Sequence, residues 1–120
     1  MDKVNLASKF AAFEEHWRPK VAGRVNGQEV RLVKVLGEFP WHSHADADEM
    51  FLVFRGAFRM DFRDRSVELE EGEFIVVPKG VEHRPVAEAE CEIVLIEPAG
   101  TVNTGDLKDE TFTAPLGVEV

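Results

Sequence analysis

The pattern of hydrophobic and polar positions changes period once along this chain, near Pro19. Before it, Leu6, Phe10, Phe13 and Trp17 recur at spacings of four, three and four, which places them on one face of an α-helix. This predicts an N-terminal helix within residues 1–18, about three turns long, capped by Asn5 or Asp2. Pro19 should end it, because proline lacks an amide hydrogen and disfavours helical geometry in the residue before it. His16 falls beside the apolar stripe among Glu14, Glu15 and Arg18, so it reads as a solvated helix histidine.

From Val21 the period drops to about two, and short β-branched or aromatic runs alternate with glycine, proline or charged turns. The candidate strands are VAGRV, EVRLVKVLGEF, EMFLVFR, AFRMDFR, SVELEE, EFIVVP and CEIVLIEP. In AFRMDFR, Phe58, Met60 and Phe62 share one face, and Arg59, Asp61 and Arg63 share the other. Turns are expected at Asn26-Gly27, near Gly56, at Asp64-Arg65, at Glu71-Gly72 and at Pro78-Lys79-Gly80. Seven short strands without interleaved helices predict an all-β domain, a sandwich or a barrel-like jelly roll. The expected organisation is one domain over 1–120, with the helix in 1–18, the barrel in 20–98 and a C-terminal arm in 99–120.

Composition narrows the function classes. A length of 120 residues with 44% hydrophobic residues suits a single core. The 23 acidic residues against 14 basic ones give a net charge of -9, which repels nucleic acid backbones and anionic lipid headgroups. No apolar run approaches the ~20 residues of a membrane span, and MDKVNLASKF lacks a secretory apolar region, so a cytoplasmic location is expected. Cys91 is the only cysteine, so a bound metal would be held by nitrogen and oxygen.

Two of the four histidines stand in one tripeptide, His42-Ser43-His44. On a strand, side chains at i and i+2 project from the same face and are able to share one ion. Glu49 has the opposite parity, so a bend in Ala45–Asp48 must reset the register before it joins them. Two histidines and a carboxylate suit Fe(II) and related divalent ions. Taken alone, the tripeptide fits a polar turn equally well.

A second segment, GEFIVVPKGVEHRP, runs an apolar strand into a Pro-x-Gly turn and then to His83. Together the two segments resemble the cupin superfamily, in particular its small single-domain members of the conserved-barrel type. The first family motif is matched by Gly37, His42-Ser43-His44, Glu49 and Gly56, and the second by Gly72, Pro78, Gly80 and His83. Two departures stand out. Four residues, rather than five, separate Gly37 from His42, and Ala87 occupies a position where the family has asparagine.

The resemblance implies a jelly-roll β-barrel with a short N-terminal helix, in which His42, His44, Glu49 and His83 ligate a divalent ion. Iron, manganese, zinc or nickel would suit that set, and the motif does not choose among them. Proteins with this fold catalyse isomerisation, epimerisation, oxygenation, decarboxylation and lyase reactions. The implied function is a metal-dependent enzyme acting on a small oxygen-rich molecule, and the competing one is a non-catalytic metal or small-ligand binding protein. The absence of tyrosine excludes a tyrosyl acid or base. Phe51 and Val53 share the parity of Glu49 and should form an apolar wall, with Trp41 either at the mouth or merely packed. Lys34 would support the site only if its strand face turned inward, whereas Arg59 and Arg84 are expected outside. A homodimer is expected, since the helix and the arm carry more apolar residues than one small barrel needs.

Overall fold

A computed structural model describes residues 1–120. One short helix, α1 (Leu6–Phe10), precedes seven strands: β1 (Lys20–Val25), β2 (Gln28–Glu38), β3 (Glu49–Arg55), β4 (Ala57–Asp61), β5 (Ser66–Glu70), β6 (Phe74–Val77) and β7 (Arg84–Pro98). All pairings are antiparallel. The strands run in the order β1-β2-β7-β3-β6, and β4 joins β7 and carries β5, giving the jelly-roll barrel. No helix is long and apolar enough to cross a membrane.

The 15-residue β7 is the spine, because β2 pairs along both its halves, β3 pairs with its second half and β4 with its first. The sheet bends at register shifts between Val35 and Gly37 and between Val53 and Arg55. Gly56 follows the second shift with φ 93°, and a Cβ there would lie 2.9 Å from the Glu90 carbonyl oxygen. Only glycine satisfies both the backbone angle and the close approach.

Alternation then sorts the side chains. Val33, Val35, Phe51, Val53, Ile93 and Leu95 fill the barrel, while the opposite parity presents Leu32, Leu52 and Val94 outward. Phe10 of α1 packs on Leu32 and Val94, an outer apolar cluster that Leu6 and Phe13 extend. Burying such a phenylalanine stabilises the fold by about 2–3 kcal/mol.

The helix is shorter than its stripe predicts. Asn5 caps it through the Ser8 amide, but after Phe10 the chain leaves helical geometry. The Trp17 amide donates to the Lys34 carbonyl at 2.8 Å, and His16 forms a bridge with the same strand. Hydrogen bonding to the edge of β2 thus outcompetes two further helical turns. His16 is therefore not a helix residue, and its Nε2 lies 2.7 Å from Glu90 Oε2. The second difference is β7, which begins at Arg84 and not at Cys91. Residues 99–120 are an arm packed on their own barrel, joined to β1 through Val21 and Glu119.

Candidate metal centre

The two histidine segments are tied to each other through their backbones. His42 and His83 exchange amide-to-carbonyl hydrogen bonds of 3.1 and 2.9 Å, and the Gly80 amide donates to the His44 carbonyl at 2.8 Å. Asp48 Oδ1 accepts from the Lys79 amide at 2.9 Å, which fastens the Ala45–Asp48 bend to the Pro78-Lys79-Gly80 turn. The bend lets β3 begin at Glu49 with the carboxylate facing inward beside Phe51. All four side chains predicted as ligands are brought together, and all are buried.

Two tautomers follow from the acceptors. His42 Nδ1 is 2.9 Å from the Pro40 carbonyl and His83 Nδ1 is 2.9 Å from the Val81 carbonyl, so each Nδ1 carries the hydrogen and each Nε2 keeps its lone pair. Glu49 Oε1 lies 3.2 Å from His44 Nε2 and 3.5 Å from His83 Nε2. These three atoms are buried without a hydrogen-bond partner. Donor atoms of all four residues lie within 4.8 Å of one another. Donors about 2.1 Å from one centre stand ~3–4 Å apart, so the set fits a divalent ion that would satisfy the orphaned atoms.

Electrostatics agree with that fit. Burial, aided by the neighbouring His83, lowers the His42 pKa to about 4 and keeps the imidazole neutral. Burial would raise the Glu49 pKa, but the neighbouring His44, His83 and Glu97 side chains outweigh it and hold the carboxylate below its usual range, hence ionised. His42 therefore offers a neutral nitrogen and Glu49 a charged oxygen, the protonation states that a divalent cation requires.

Glu97 was not among the expected site residues. Met50 stands opposite Ile96 on β7, and continuing that register sets Glu49 beside Glu97, close enough for each carboxyl group to shift the other's titration. Glu29 stands opposite Glu97 on its other side, so three glutamates form a row across β3, β7 and β2. Arg31 is the buried cation among them, with Nη1 2.8 Å from Glu97 Oε1 and 2.7 Å from the Thr101 carbonyl, and Nε 2.9 Å from Glu29 Oε1. Burial and the Glu49 charge push the Glu97 pKa well above the usual carboxylate range, which biases Glu97 towards its protonated form. The sequence held a signal for this row. Glu97 shares parity with Ile93 and Leu95, and Glu29 and Arg31 share parity with Val33 and Val35, so charged residues occupy core-facing phases.

A cavity of about 30 Å³ adjoins His42 and Glu49, with Val33, Phe51 and Leu95 in its apolar wall. That is room for about two waters. Asn103 also lines it, but its amide is occupied by the Trp17 and Phe112 carbonyls and by the Ala114 amide. Lys34 does not reach the site, since Nζ donates to the Phe13 carbonyl at 2.7 Å. Arg59 and Arg84 bind Asp61 outside the barrel, and Trp41 lies there too, between Arg63 and Arg84.

The fold and the cluster define an antiparallel barrel with three imidazoles and one carboxylate converging inside it. A model of the cupin domain matches residues 25–97, and the chain belongs to the cupin family. Among solved structures, it is similar to a cupin-2 domain containing protein from Shewanella frigidimarina, with 49% identity and a TM-score of 0.78 over 79% of this chain and 93% of that one. It is also similar to protein NMB1881 from Neisseria meningitidis, with 40% identity and a TM-score of 0.75 over 82% of this chain and all (100%) of that one. The uncharacterised protein YdbB of Bacillus subtilis is 41% identical over 61 residues, half (50%) of this chain and 54% of YdbB. The chain thus matches only about half the length of that relative.

Proposed function

We propose that His42, His44, Glu49 and His83 hold a divalent metal ion and that the protein is a metal-dependent enzyme acting on a small oxygen-rich molecule. The observation that carries this reading is the set of orphaned, buried donor atoms, Nε2 of His44 and His83 and Oε1 of Glu49, facing one another. When bound, the ion would polarise an oxygen ligand, activate water or support dioxygen chemistry. The residues themselves aim the lone pairs through the Pro40 and Val81 carbonyls. Their apolar wall limits water and strengthens each polar interaction inside.

A second reading, a non-catalytic metal or small-ligand binding protein, draws on one specific observation. The amide of Asn103 is fully engaged, and the other side chains around the cavity, apart from the proposed ligands, are apolar or tryptophan, so no free acid or base is at hand. Turnover and oxygen uptake separate the two readings. Protein loaded with Fe(II) or Mn(II) should convert a member of a panel of small keto acids, diols and sugar derivatives. Tight binding without turnover across that panel supports the binder instead.

We also infer a homodimer, through a surface other than the helix and arm, both of which pack on their own barrel. Val30, Ile96, Met50 and Val76 form one cross-strand row on the outer face, with Phe74 beside it opposite Leu52. Phe74 is 62% exposed and Val76 49%, on a strand that pairs only with β3.

A further inference from the structure

The cavity beside the proposed metal ligands is lined from both ends of the chain, by Trp17 and Pro19 on one side and Asn103 on the other. Trp17 has φ 62°, a left-handed conformation that a bulky residue adopts only when its surroundings enforce it. Its amide bond to Lys34 and an indole Nε1 bond of 3.0 Å to the Leu36 carbonyl supply that enforcement. The held ring lies 4.8 Å from Phe39 and 6.2 Å from Phe112. Phe112 stands edge-on to Phe39 at 5.3 Å, and Phe39 edge-on to His42 at 5.1 Å. A continuous aromatic stack therefore runs from the arm to a metal-ligating imidazole.

Phe112 belongs to a loop that is bonded mainly to itself. The Ala114 amide closes its ends by donating to Asn103 Oδ1 at 2.9 Å, and inside it Thr104 Oγ1 and Thr113 Oγ1 are 2.7 Å apart. Two long hydrogen bonds of 3.3 Å tie it to the barrel, from Asn103 Nδ2 to the Trp17 carbonyl and from Arg18 to the Thr113 carbonyl. Gly105 seats it against the ligand segment so closely that a Cβ would lie 1.9 Å from the Ser43 carbonyl oxygen. Compact loops with joined ends detach as units, because their internal bonds survive the movement.

We propose that Trp17 and Phe112 set the size of molecule that reaches the metal, and that residues 103–114 are the lid on which Phe112 moves. Closed, the lid leaves the about 30 Å³ that suits water or a diatomic molecule. Larger ligands bind only when it lifts. The proposal rests on the metal-centre reading above.

The test uses the full chain loaded with Co(II), titrated with azide and with imidazole and followed by visible absorption. Phe112→Ala should raise the imidazole-to-azide affinity ratio about tenfold, the scale of discrimination a tight pocket exerts. Gly105→Ala, which prevents the lid from seating, should do the same and serves if Phe112→Ala does not fold. A ratio within about twofold of wild type in the folded variants overturns the proposal. In parallel, acrylamide quenching of Trp17 in a metal-free Trp41→Phe background should increase severalfold on adding either substitution, and unchanged quenching overturns the lid independently. A chain that takes up no cobalt refutes the metal centre instead, and the quenching result then decides the lid.

Discussion

Replacing Arg31 by methionine removes the only cation bonded to Glu97. The guanidinium is buried and makes bonds of 2.8 Å to Glu97, 2.9 Å to Glu29 and 2.7 Å to the Thr101 carbonyl. Glu29 retains Arg24 at 3.2 Å, but Glu97, which is fully buried, is left with the Glu49 carboxylate as its charged neighbour. Breaking a buried pair from one side costs about 3–5 kcal/mol. Glu97 is already biased towards its protonated form and relieves part of that cost by holding the proton, so the low end, about 3 kcal/mol, is expected. At ~0.1 kcal/mol per residue the whole domain is stable by about 12 kcal/mol, so the substitution removes a quarter of it and lowers Tm by about 10 °C.

Urea unfolding followed by circular dichroism measures the loss directly, provided the m-value is unchanged. The deficit should widen with rising pH. An acid whose folded pKa is raised retains its proton where the unfolded chain has released it, so stability falls as pH climbs above the usual carboxylate range. Arg31→Met with Glu97→Leu should recover about 2 kcal/mol through the coupling of the two sites. A single-variant loss under about 1 kcal/mol, or a double variant as unstable as the sum of its parts, refutes the buried-row account.

Other expectations concern the metal, acid and assembly. His42→Ala or His83→Ala should abolish stoichiometric metal in purified protein by elemental analysis, and unchanged metal content would count against the ligand set. Metal-free protein should lose stability as pH falls from 6.5 towards about 4, because unfolded His42 takes up a proton that the buried imidazole refuses; His42→Gln should flatten that part of the curve. Asp61, lowered to about 2 against its burial by Ser66, Arg59 and Arg84, adds a further loss from 3.8 down to about 2. Wild type should sediment as a dimer at micromolar concentration, and Phe74→Lys as a monomer with unchanged circular dichroism.

The four residues of the cluster were legible through the resemblance to the cupin motifs, with local geometry in support for the three histidines. His42 and His44 follow from period-two geometry, and His83 from the Pro78-Gly80 turn. The early half of β7 was not legible. Pro85 and the Glu88-Ala89-Glu90 run resemble loop, and tertiary pairing makes this half strand, with Pro85 and Val86 opposite Met60 and Arg59 of β4 and Val86 and Ala87 opposite Glu38 and Gly37 of β2. Trp17 was misplaced for a related reason. Its helical spacing with Phe13 is real, yet the free edge of β2 offers its amide a partner that a frayed helix end lacks. The arm gave no periodic signal, because Asn103, Thr104, Asp109 and Thr113 hold it by side-chain bonds.

The reciprocal backbone bonds between His42 and His83 mean that folding alone assembles the imidazoles. An ion held by this cluster would bind without ordering the chain, and every increment of its affinity would go to the folded state. At a free concentration about a thousandfold above Kd the gain is about 4 kcal/mol. In a cell, metal binding of this kind would couple abundance to metal supply. Chains starved of the ion should keep their shape but open more often, meet proteases sooner, and show a shorter half-life in a pulse-chase experiment.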